Sequence, residues 1–251
     1  MKKLKIFLLL FLSAFVNVNA CGYDPDPIIR ESLKGKIKTI TQTAYPAVEV
    51  DGEILRGRVR MGGYDESRLY NEDGCIVEKI TPSHYWWFGG EQIIYRYIYD
   101  KNNNLIEERY FTNDTTYRAT YYSYEYNDKG LVLKKTKKAE SGNLEEIKLF
   151  EYDEKGNLKE EILTYYYGVE ICIYYQYDEN GKKTMAISER ETTEFDENGN
   201  EIRVTRNWLP TDIITTYQYE YDETGNWIKK IKFADNPKEP DMIVREITYY
   251  E

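Results

Sequence analysis

The sequence predicts an all-β protein. Antiparallel β-hairpins, about 26 residues each, should join into one wide meander sheet, twisted or curled into a partial shell. Three observations lead there. A seven-residue phrase recurs as Tyr152-Asp153-Glu154-Lys155-Gly156-Asn157-Leu158, Phe195-Asp196-Glu197-Asn198-Gly199-Asn200-Glu201 and Tyr221-Asp222-Glu223-Thr224-Gly225-Asn226-Trp227, with looser copies starting at Tyr70, Tyr99, Tyr126 and Tyr177. The seven starts lie 29, 27, 26, 25, 18 and 26 residues apart. Alternating tyrosine runs precede the phrase, as in Tyr95-Arg96-Tyr97-Ile98-Tyr99 and Tyr217-Gln218-Tyr219-Glu220-Tyr221, and period-two alternation marks a half-buried strand.

Residues 1–20 read as a signal peptide. Met1-Lys2-Lys3-Leu4-Lys5 is basic, Ile6 to Val16 is apolar but short for a bilayer span, and Val18-Asn19-Ala20 precedes Cys21. Two processing routes fit. One is lipidation of Cys21, with the chain anchored to the bacterial outer membrane. The other is plain cleavage after Ala20, leaving a soluble periplasmic or secreted protein. The lipidated form is the expected one, because a cysteine at the first mature position is otherwise rare. Residues 21–33, with Asp24-Pro25-Asp26-Pro27, read as a tether. Removing residues 1–20 leaves 31 basic against 44 acidic residues, which argues against nucleic acid as a partner and confines membrane contact to an N-terminal lipid.

Residues 34–251 form one domain. Its first part, 34–65, contains a strand from Lys36, a hairpin at Val48–Gly52 and a returning strand. It reads as an N-terminal cap whose outer edge must not pair with another chain. From residue 66 the repeats begin. In each phrase the Asp carboxylate can accept backbone N–H groups two residues on, and the Gly supplies a positive φ. The phrase is therefore a hairpin tip, a type I turn closed by a Gly bulge. Second turns fall on the opposite edge, at Ser83–Glu91, Asn113–Thr115, Glu140–Asn143, Tyr167–Val169, Ser188–Arg190, Leu209–Asp212 and Asp235–Pro240. One strand face collects the tyrosines and the other carries residues such as Arg96, Glu125, Gln218 and Glu220. A sheet this wide twists, and curling would put the tyrosine face inside. Cys75 and Cys172 sit in repeats that are not adjacent, so a flat meander would keep them apart as free, buried thiols.

The Tyr-x-Tyr-Asp-x-x-Gly-Asn pattern of Tyr219 to Asn226, and of Phe150 to Asn157 in a close variant, resembles the YD repeat of bacterial RHS proteins and their teneurin relatives. The resemblance spans residues 66–251 and implies a coiled β-strip of the kind that encloses toxin domains. This chain has fewer repeats and a longer period, so a small envelope relative of Bacteroides type, with a partial shell, is the expectation.

No P-loop, dinucleotide fingerprint, zinc spacing or Gly-x-Ser-x-Gly elbow occurs, and no catalytic residue, metal or cofactor is expected. Asp100–Asn104 and Asp196–Asn200 echo Ca²⁺ loops but lack the twelfth-position Glu. The candidate binding residues are His84, Tyr85, Trp86, Trp87 and Phe88, in the loop that holds the only His and two of four Trp. Flat rings with polar tips suit sugar or peptide recognition, but the plainer reading is that they plug the open end of the sheet. The function expected is a non-enzymatic envelope repeat protein that binds or scaffolds a glycan or another envelope protein. The alternatives are a shell-type accessory of a toxin system and a carbohydrate-active enzyme.

Overall fold

The computed structural model describes residues 33–57, 65–82, 92–111, 116–207, 210–234 and 241–251. They form seventeen strands: β1 (Ile37–Val50), β2 (Glu53–Arg56), β3 (Glu66–Tyr70), β4 (Ile76–Pro82), β5 (Gln92–Tyr99), β6 (Leu105–Phe111), β7 (Tyr117–Tyr126), β8 (Val132–Ala139), β9 (Leu144–Tyr152), β10 (Leu158–Tyr165), β11 (Glu170–Tyr177), β12 (Lys183–Ser188), β13 (Glu191–Phe195), β14 (Glu201–Arg206), β15 (Ile213–Tyr221), β16 (Trp227–Ala234) and β17 (Asp241–Tyr249). Consecutive strands from β3 to β17 pair antiparallel.

The sheet closes on itself, which corrects the expected partial shell. β1 pairs antiparallel with β17 along one edge, through Ile40↔Ile247, and with β3 along the other, through Ile40↔Arg68. The ring is a closed antiparallel barrel of sixteen strands, with β2 attached to β1 as a side hairpin. The sequence reading gave the N-terminal strand one protected outer edge. Instead β1 has fourteen residues and satisfies both free edges at once, and closure is the one arrangement that removes edges altogether.

The repeated phrase builds the turns at one end. In Asp153–Asn157, Gly156 N–H donates to the Asp153 carbonyl and Asp153 N–H to the Asn157 carbonyl, with Gly156 at φ +88°. A register shift follows where Leu158 faces Tyr152. This is a type I turn with a Gly bulge. Asn103 takes the Gly position in the second copy at φ +60°, a region Asn tolerates. The Asp side chain adds local bonds, as where Asp196 Oδ1 accepts from the backbone N–H groups of Asn198 and Asn200.

The tyrosine face lines the interior. Ile37 and Ile40 of β1 cluster with Tyr97 of β5 and Leu105 of β6, strands that are not neighbours and can meet only across a concave face. On this inner wall tyrosine hydroxyls reach back one repeat and donate to the carbonyl of the first residue after the turn. The pairs are Tyr99 to Ile76 at 2.7 Å, Tyr124 to Leu105 at 2.9 Å, Tyr152 to Val132 at 2.8 Å, Tyr177 to Leu158 at 2.8 Å and Tyr219 to Glu201 at 2.7 Å. These bonds tie each hairpin to the one before it.

Cys172 is a free thiol, as expected, but half-buried on the outer wall, whereas Cys75 is buried, as expected, but disulfide-bonded, which corrects the free thiol expected there.

Candidate functional site

The barrel interior carries charge as well as rings. Lys79 lies over Tyr95 at 4.5 Å, Lys135 over Tyr122 at 4.8 Å and Lys230 over Tyr217 at 4.1 Å. Each is a basic side chain resting on the aromatic face of the strand paired to its own or of a close neighbour, a cation–π contact. Lys148 pairs with Glu161 at 3.1 Å with both side chains nearly inaccessible, and the Tyr175 hydroxyl donates to the same carboxylate. Burial pushes the phenols of Tyr97 and Tyr219 well above the ordinary tyrosine value. Tyr221 is pushed up to about 12 by burial and by its bond to Asp196.

One section of the inner wall departs from this pattern. In most repeats the first residue after the turn is apolar and buried or half-buried: Ile76, Leu105, Val132, Leu158 and Trp227. In two consecutive repeats it is charged, Lys183 and then Glu201. The tyrosine bond also fails here. β13 contains no tyrosine, and Phe195 occupies the position that donates in β5, β9 and β11, so it has no hydroxyl to give to Lys183. Three inward residues of β12 and β13 are small: Ala186, Ser188 and Thr193. A half-open pocket of about 180 Å³ results, walled by Tyr175 and Phe195, with Lys183, Glu191 and Glu201 among its polar groups.

The charges in the pocket are not equally matched. Glu191 pairs with Arg206 at 2.7 Å, and Glu201 has the Lys230 ammonium at 3.8 Å. Lys183 instead lies 4.0 Å from the Phe195 ring centroid and 5.6 Å from that of Tyr175, with no carboxylate at ion-pair distance among the described residues. Burial holds its ammonium below the ordinary lysine value, and Glu201 and Glu161 offset this only in part.

The outer wall is charged too. Arg96, between Tyr95 and Tyr97, points outward and pairs with Glu78 at 3.0 Å. Glu125 pairs with Lys134 at 2.7 Å, and Glu220 with Lys229 at 2.8 Å. The Arg96, Glu125 and Glu220 side chains are 55%, 66% and 61% exposed. No helix among the described residues is long and apolar enough to cross a membrane, which leaves strands as the only elements to judge.

Of the residues singled out in the sequence, Cys21 and His84, Tyr85, Trp86, Trp87 and Phe88 lie outside the described residues. The strands flanking that loop end at Pro82 and begin at Gln92, on the rim opposite the repeated turns. The pocket was missed because reading for what the repeats share hides what two of them do not. Aligning the seven residues after the turn would have exposed Lys183 and Glu201. Among the described residues no cluster of His, Cys, Asp and Glu could hold a metal ion.

No protein-family model and no curated protein matches the sequence. Among solved structures the chain is similar to a porin-like protein from Bacteroides uniformis, at 13% identity and a TM-score of 0.51, over 86% of this chain and 98% of that one. It also aligns with TcdB2-TccC3 without its hypervariable C-terminal region, at 14% identity and a TM-score of 0.33, over 80% of this chain and 11% of that one. A TcdB2-TccC3-Cdc42 structure aligns at 15% identity and a TM-score of 0.30, over 74% and 12% of the two chains. The first likeness is one of fold. The scores of the other two are too low to bear on function.

Proposed function

We propose that this chain is an exported, non-enzymatic binding barrel of the bacterial envelope that holds a small ligand on its inner wall. The observation that carries the reading is the break in the repeat at β11 to β14. There, in two consecutive hairpins, small inner residues open a pocket and a lysine has no carboxylate at ion-pair distance among the described residues. Places where a sequence abandons its own local rule are where function is expected.

The outer wall supports a barrel that stands in water. A membrane barrel shows lipid an apolar band, and Arg or Lys at its midplane costs about 2–4 kcal/mol each. Here ion pairs occur at outward positions of several strands, and β12 to β14 have only five or six residues, short of the roughly 9–11 that a membrane-spanning strand uses. Attachment through Cys21 is a separate matter. The sequence at Cys21 favours a lipid anchor to the outer membrane, and plain cleavage after Ala20 is the alternative.

Two experiments test this reading. Mass spectrometry of the mature N-terminus distinguishes a lipid on Cys21 from plain cleavage after Ala20. Ala186→Phe fills the pocket, and it should abolish ligand-induced thermal stabilisation while leaving the circular dichroism spectrum unchanged. Stabilisation that survives the substitution places the binding surface elsewhere.

A further inference from the structure

We infer that the pocket between β11 and β14 takes a small organic monoanion, a carboxylate carried on a ring-sized hydroxylated body such as a hexuronic acid. The carboxylate would sit on Lys183 Nζ and the ring against Phe195 and Tyr175. The inference rests on the pocket reading above and adds the charge and size of its ligand.

Charge matching gives the sign. Of the charged groups lining the pocket, Glu191 has Arg206 at 2.7 Å and Glu201 has Lys230 at 3.8 Å, while Lys183 lies against aromatic faces with no carboxylate at ion-pair distance among the described residues. The ligand that completes the set supplies one negative group. Glu191 and Glu201 then limit that charge. Their carboxylates line the same small space and would repel a second negative charge, so a carboxylate is favoured over a phosphate dianion. Lysine itself does not discriminate, since its ammonium is a point charge without the planar fork of arginine.

Size and walls give the body. About 180 Å³ is smaller than the roughly 300–1,000 Å³ of sites for drug-sized ligands, which points to a single ring. Tyr175 and Phe195 offer flat apolar faces for the C–H side of such a ring, and the Thr193 hydroxyl lies where the ring's own hydroxyls can reach it. Lys183 and Phe195 come from paired hairpins, so the ammonium is held in place before any ligand arrives and little ordering entropy is lost on binding.

The test is isothermal titration of the purified protein with D-glucuronate, D-glucose and α-D-glucose 1-phosphate, with two-dimensional NMR to locate the site. Saturable binding of glucuronate is expected, at least tenfold tighter than glucose and tighter than the phosphate ester, with amide shifts at Tyr175, Thr193 and Phe195. Lys183→Met should weaken glucuronate at least tenfold, and Lys183→Arg should recover most of the loss. If glucose binds as tightly as glucuronate, and Ala186→Phe abolishes both, the anion is wrong and the pocket reading stands. If the phosphate ester binds as tightly, the single charge is wrong. If no probe moves a signal from any pocket residue, the inference fails. If ligand-induced stabilisation also survives Ala186→Phe, the pocket reading falls with it.

Discussion

Asn226 holds the backbone of Lys34 by a two-point clasp, although the two are 192 positions apart. Lys34 N–H donates to Asn226 Oδ1 at 2.7 Å, and Asn226 Nδ2 donates to the Lys34 carbonyl at 2.7 Å. Asn226 is 2% exposed and also donates to the Tyr249 hydroxyl. The last repeated turn thus receives the strand that closes the barrel. Asn226→Ala should leave buried partners unpaired and cost about 1–3 kcal/mol. Hydrogen exchange should show the loss concentrated in β1 and β17. Uniform loss across all strands would mean that the clasp does not control the seam.

Tyr152→Phe removes one tyrosine bond, to the Val132 carbonyl at 2.8 Å, and keeps the ring in its cluster with Phe150 and Leu158. A net loss of about 0.5–1.5 kcal/mol is expected, which for a domain of this size lowers Tm by a few degrees. An unchanged Tm would show that water replaces the bond and that the tyrosines act through ring packing alone.

The pair of Lys148 and Glu161 is the most deeply buried ion pair among those described, at 3.1 Å with side chains 9% and 3% exposed. Lys148→Met alone strands a buried carboxylate, and breaking such pairs costs about 3–5 kcal/mol. Lys148→Met combined with Glu161→Leu should recover most of that, since replacing both charges by apolar groups of similar size is often neutral. Urea titration of the single and double variants tests it. A double variant as unstable as the single one would assign the loss to packing.

Two groups of side chains set the alkaline response, with opposite signs. The phenols of Tyr97, Tyr219 and Tyr221 are raised in the fold, chiefly by burial, so the stability they contribute is present below the ordinary tyrosine value and lost as pH rises above it. Lys183 is lowered, so the folded state binds fewer protons there than the unfolded chain. Its contribution to stability rises with pH between its folded value and the ordinary lysine value. The groups facing Lys183 are Glu161, Glu191 and Glu201. The tyrosines outnumber the lysine, so net stability should fall steeply at strongly alkaline pH. Tyrosinate absorbance at 295 nm should then appear in a step coincident with unfolding. A gradual rise in the intact barrel would show that water reaches the phenols.

The sequence by itself determined the hairpin. Asp153, Gly156 and Asn157 specify a turn through local bonds and one positive φ, and the alternation of Tyr217, Tyr219 and Tyr221 with Gln218 and Glu220 decides which side chains share a face. These are effects of residues one to five positions apart, so they can be read along the chain. Whether the strip ends in free edges or in a ring depends on Ile40 meeting both Ile247 and Arg68, partners set by accumulated twist and by strand count. No local motif encodes that meeting. The pocket belongs to the same class. Lys183 and Phe195 are odd letters in two separate phrases, and only the register of β11 to β14 places an ammonium over a ring 4.0 Å away.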